Sequence, residues 1–148
     1  MADILSRRRE RARTALLVIM AASYYLAGIL HFRMTDDFVA IVPTWVPAPR
    51  FMVLLTGWCE LMGATGLLIP RLRKCAGILL AIYAVCVFPA NIHMAFEHIP
   101  FHGHAVGWGF NGPRLALQPI LVWWTLFCAG VIDWPFRMAT AQSRTWVD

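Results

Sequence analysis

The chain has 148 residues, 59% of them hydrophobic and only 14% charged, with a net charge of +5. A soluble domain carries about a quarter charged residues, so the composition excludes an ordinary soluble globule, and the length leaves no room for a second domain. The arginines read as an orientation signal rather than a nucleic-acid site, because no aromatic interleaving or binding motif accompanies them.

Four apolar stretches are predicted as helices, over residues 14–32, 51–70, 75–96 and 115–132. Each can cross a hydrocarbon core of ~30 Å at ~1.5 Å per residue. The runs are continuous and do not alternate, which argues against a β-barrel. The first is preceded by Arg7, Arg8, Arg9, Arg11 and Arg13. It is too long for a signal peptide and lacks an A-x-A-like site, so it reads as a retained span. The turn between the second and third spans, Pro70-Arg71-Leu72-Arg73-Lys74, is short and basic, and Arg137 and Arg144 follow the fourth. Ten basic residues thus fall on one side, against Arg33, Arg50 and Arg114 on the other. The positive-inside rule then places both termini in the cytoplasm. The expected fold is all-α: one domain over residues 1–148, a four-transmembrane-helix bundle.

The first outer loop, residues 33–50, carries Trp45 among Pro43, Pro47 and Pro49, which exclude a regular helix in its second half. It reads either as an interfacial segment or as a lid over an outward-facing cavity. The second outer loop, residues 97–114, is rich in glycine and holds His98, His102 and His104. Pro89 should kink the third span and free the Val85 carbonyl, with Asn91 near enough to partner it. Cys59, Cys75, Cys86 and Cys128 lie in spans or at their cytoplasmic edge and read as small buried hydrophobes.

Glu60 is the one acid inside a predicted span, about ten residues from either end. A carboxylate at that depth costs at least ~2.5 kcal/mol and usually marks function. Counting from the flanks puts Tyr24, Tyr25, Tyr83, Trp124 and Thr125 at its depth as hydrogen-bond candidates. Helical spacing groups Tyr24, Ala27 and His31 on one stripe, and Thr56, Glu60, Gly63 and Leu67 on a second. Cys86, Ala90, His93 and Glu97 form a third, and Gln118, Val122, Thr125 and Ala129 a fourth. Facing stripes would enclose a narrow polar pocket with Glu60 at its floor and His31, Asn91, His93 and Gln118 near its outward mouth. The alternative is that Glu60 only staples helices, among close-packing positions at Gly57, Gly63, Ala64 and Gly66. Glu60, His31 and His93 are the candidate acid–base residues. Tyr24, Asn91, Gln118 and Trp124 are the candidate cofactor contacts. His93 and Glu97 stand at i, i+4, a chelating spacing, but no full ligand motif appears and a metal is not expected.

Several ordered stretches resemble the DoxX-like family of four-helix membrane proteins. They are Gly28-Ile29-Leu30-His31-Phe32, Ile41-Val42-Pro43-Thr44-Trp45-Val46-Pro47, Gly57-Trp58-Cys59-Glu60-Leu61-Met62-Gly63 and Gly66-Leu67-Leu68-Ile69-Pro70. Val87-Phe88-Pro89-Ala90-Asn91-Ile92-His93-Met94 and Arg114-Leu115-Ala116-Leu117-Gln118 follow. The resemblance implies a bundle in the bacterial cytoplasmic membrane, the cell inner membrane, with a function tied to redox chemistry. It supplies no catalytic set, and paired outer cysteines for a thiol relay are missing from this sequence. The expected role is a small subunit or accessory protein that binds a quinone-like or lipid-like molecule, or a partner, through the Glu60 pocket. Its expected partners are membrane lipid and either an oxidoreductase or a second copy of the chain. A stand-alone acid–base isomerase or cyclase, and a small transporter or scaffold, are the alternatives.

Overall fold

The structure, a computed structural model, describes residues 2–100, 103–104 and 106–133; of residues 2–9 it describes the backbone alone. His102, Arg137 and Arg144 lie outside the described residues, as do the side chains of Arg7, Arg8 and Arg9. Among the described residues there are five helices: α1 (Ala2–Arg33), α2 (Thr35–Ala40), α3 (Pro49–Leu68), α4 (Arg73–Phe96) and α5 (Trp108–Ala129). Three segments are long and apolar enough to cross a membrane: Glu10–Arg33 of α1, and all of α3 and α4. This is the make-up of a membrane-embedded protein.

Local chemistry explains the boundaries. Pro49 opens α3, where a missing N–H is harmless. Gly130 ends α5 in the left-handed conformation at φ 79°, with its N–H returned to the preceding turn. The fourth predicted span therefore stops at Ala129 and begins earlier than expected, at Trp108. Its first turns carry Asn111, Arg114 and Gln118, and α5 is not among the three segments apolar enough to cross a membrane. Pro89 is taken up inside a continuous α4, and Asn91 turns to α5 rather than to the carbonyl that Pro89 frees.

The four long helices close into a ring in which α1 packs on α3, α3 on α4, α4 on α5 and α5 on α1. Small residues let them approach. A Cβ on Gly77 would lie 2.2 Å from the Ala129 Cβ, and one on Gly66 2.7 Å from the Ala76 Cβ. Gly57 sits against the His31 Cβ in the same way. Such contacts hold helices together where lipid gives no hydrophobic driving force. The interior cluster is Met20, Tyr24, Ala64, Leu67, Ala76, Leu80 and Ala129. Outside, Leu79, Ile82 and Val85 are exposed on one face of α4, and Leu55, Trp58 and Met62 on one face of α3. Apolar faces of this kind suit acyl chains.

At one end Arg13 clasps the last turn of α5. Its Nε and Nη2 donate to the Phe127 carbonyl at 2.9 and 2.6 Å, and its guanidinium lies over the Phe127 ring. At the other end, α2 and the segment that follows it arch over the bundle. Asp36 pairs with Arg50 at 2.6 Å there, and His93 Nδ1 lies 3.1 Å from the Ile41 carbonyl.

Candidate functional site

A cavity of about 780 Å³ runs from the α2 end, at Phe38 and Ile41, to Glu60 and Tyr83 within the ring. This is the size of a small-molecule site. Its walls come from all four long helices, and Phe38, Ile41, Val42, Pro43, Trp45 and Val46 form the side nearest the opening. The sequence leads one to expect a narrow polar pocket; the cavity is roomy, and most of its lining is apolar. Its charged and amide side chains gather at two places.

The first is Glu60, buried at 5% exposure. The Tyr83 hydroxyl donates to Glu60 Oε1 at 2.9 Å. Of the five hydrogen-bond candidates at this depth, Tyr83 is the one that reaches. Tyr25 bonds Thr65 at 2.6 Å, and Thr125 donates to the Leu121 carbonyl. Tyr24 lines the cavity, with its hydroxyl 3.5 Å from Thr125. His31 Nδ1 lies 3.0 Å from Glu60 Oε2, closer than counting residues along the two helices suggests. Helical side chains lean toward their own N-termini. The helices α1 and α3 run antiparallel, so Glu60 leans toward the cavity mouth and His31 leans away from it, and the two meet. Gly57 makes room for this meeting. The same Nδ1 is 2.9 Å from the Ala27 carbonyl, which takes the well-aligned bond. Glu60 Oε2 is thereby left buried with no hydrogen bond. Phe38 of α2 stacks on the imidazole, with ring centroids 4.0 Å apart.

The second polar place lies on α4 and α5, near the mouth. Asn91 Nδ2 donates to Gln118 Oε1 at 3.2 Å, and Gln118 Nε2 donates to the Ala84 carbonyl at 2.6 Å. Arg114 Nη2 donates to Asn91 Oδ1, and Nη1 contacts Met94 Sδ. Sequence reasoning passed over Arg114 as a flanking residue. The signal was its heptad-like spacing with Gln118 and Leu121 (i, i+4, i+7), which puts all three on the cavity side of α5.

The structure thus brings Glu60, His31, Tyr24, Asn91 and Gln118 to one cavity. It does not bring His93 or Trp124 to it. His93 is turned to the Ile41 carbonyl, and Trp124 packs beside the interior clusters on α5. Among the described residues no three His, Cys, Asp or Glu side chains converge as a metal would require.

Residues 20–129 match the family model described as a domain of unknown function, DUF8561. The chain belongs to the DUF8561 family. The match takes in every residue that lines the cavity, from Tyr24 to Leu121. No curated protein and no solved structure matches the chain.

Proposed function

We propose that the protein is a four-span membrane protein with both termini in the cytoplasm, and that its cavity holds one lipid-like or quinone-like molecule. Its setting would be the bacterial cytoplasmic membrane, where it would act as an accessory or small subunit in redox chemistry. The resemblance of its ordered stretches to DoxX-like proteins supports that setting. The fourth span would be α5, and the basic side of the sequence would face the cytoplasm.

One observation carries the binding reading: Glu60 Oε2, buried in the wall of an apolar cavity, has no aligned hydrogen bond, its near neighbour His31 Nδ1 at 3.0 Å being engaged by the Ala27 carbonyl. Buried polar atoms are nearly always satisfied, and an orphan calls for an explanation. A hydroxyl on the guest, or a proton shared with a guest carbonyl, would satisfy it. Tyr83 and His31 then hold the carboxyl group in place, and the apolar walls take the rest of the molecule.

The test is extraction of the purified protein followed by mass spectrometry of what it carries. A hydrophobic molecule bearing a hydroxyl or carbonyl is expected at about one per chain, and Glu60→Leu should lose it while remaining folded. An empty wild-type protein, or an unchanged guest in the Leu variant, would refute the reading. A second reading, acid–base catalysis on such a guest, is favoured by the 3.0 Å approach of His31 to Glu60. Turnover that disappears in both Glu60→Gln and His31→Gln would select it.

A further inference from the structure

We infer that the molecule held in the cavity is an amphiphile with an anionic head group, seated on Arg114 at the mouth. The inference rests on the cavity-binding reading and narrows it to a class of ligand. Arg114 is, among the described residues, the one Lys or Arg side chain in the cavity lining. Among the described residues no carboxylate lies within ion-pair distance of it. Its two protein contacts are neutral, Asn91 Oδ1 and Met94 Sδ. A guanidinium has five N–H donors, so three remain without a protein acceptor. A half-buried cation served only by neutral groups is incomplete, and a planar two-oxygen anion is what its fork fits.

The surrounding hydrogen bonds fix that orientation. Ala84 offers a backbone carbonyl, so Gln118 must present its amide NH₂ to it and its oxygen to Asn91. Asn91 must then present its NH₂ to Gln118 and its oxygen to Arg114. Each amide has one permitted orientation, set by a carbonyl that cannot flip. The chain ends by pinning one edge of the guanidinium and leaving the remainder for a ligand.

The two polar places are spaced along α4 by the eight residues from Tyr83 to Asn91, about 12 Å at ~1.5 Å per residue. Between them the lining is apolar: Val87, Leu117 and Leu121. A free anion would leave that space unfilled, and a neutral oil would leave Arg114 unpaired. An anionic head on an alkyl chain satisfies both, and a hydroxyl or carbonyl on that chain about 12 Å from the head would reach Glu60.

The experiment measures binding of dodecyl phosphate, dodecanol and inorganic phosphate to the full chain in zwitterionic nanodiscs, with empty nanodiscs as the blank. Dodecyl phosphate should bind at least about tenfold tighter than dodecanol, the advantage of a charge-assisted pair, and inorganic phosphate far more weakly than either. Arg114→Gln should abolish the phosphate preference, bringing the two dodecyl compounds to equal affinity, while Arg114→Lys keeps part of the preference. Equal binding of the two dodecyl compounds to the wild type overturns the anionic head group and leaves the cavity reading standing. Tight binding of inorganic phosphate alone overturns the amphiphile. If neither dodecyl compound binds, both readings fall. The wild-type comparison decides these points even where Arg114→Gln does not fold.

Discussion

Glu60 has one hydrogen-bonded oxygen and one met only by the 3.0 Å approach of His31, and each oxygen predicts a different variant. Tyr83→Phe removes the donor on Oε1 and should lower stability by about 1–3 kcal/mol, the cost of leaving a buried acceptor unpaired. Thermal unfolding in detergent measures it. Glu60→Gln keeps an oxygen for Tyr83 but places an amide where Oε2 stood, so it should fold normally and lose guest binding. A structural staple would give the reverse pattern, a large stability loss with binding intact. Glu60 itself was legible in the sequence because an acid in an apolar span is costly and therefore conspicuous. Its partner was not. Tyr24, Tyr25, Tyr83, Trp124 and Thr125 share its depth, and only the rotation of each helix about its axis decides which one touches it. His93 shows the same limit. It shares a helical stripe with Cys86 and Ala90, yet it ends on the Ile41 carbonyl because the loop crosses in front of it.

Helices α3 and α4 were legible to within two residues, because charged or proline flanks mark where an apolar run must stop. The start of α5 was not. Gly109, Gly112 and Pro113 read as loop, yet they lie inside the helix, and the extension carries Arg114 from a flank into the cavity wall. A Cβ at Gly112 meets nothing within 4 Å, whereas one at Gly77 would collide with Ala129. Gly112→Ala should therefore stabilise α5 by up to about 1 kcal/mol through helix propensity. Gly77→Ala should destabilise the α4–α5 pair by about 1–3 kcal/mol through overpacking. Parallel melting curves of the two variants check both signs. The arch at the mouth belongs to this scale as well. His93→Ala removes the tie to Ile41 and should quicken guest exchange with little change in melting temperature, as a dissociation-rate measurement would show.

At the scale of the molecule, the ring of four helices exposes apolar side chains outside and holds the Glu60 and Arg114 groups at two stations along its cavity. Cysteine accessibility in sealed vesicles tests the proposed orientation. A single cysteine placed at Trp45 should react from the outside, and the native Cys75, at the opposite end, from the inside. The Arg13 clasp on Phe127 joins the first long helix to the last across 114 positions of sequence. During synthesis, α1 leaves the ribosome long before the carbonyl that Arg13 will grip has been made. Until that moment the first helix can pair with α3 while its arginine stays unmoored, and the barrel of helices stands open along one seam. Sealing that seam is then the closing act of assembly, and a chain truncated before residue 127 should insert yet never lock.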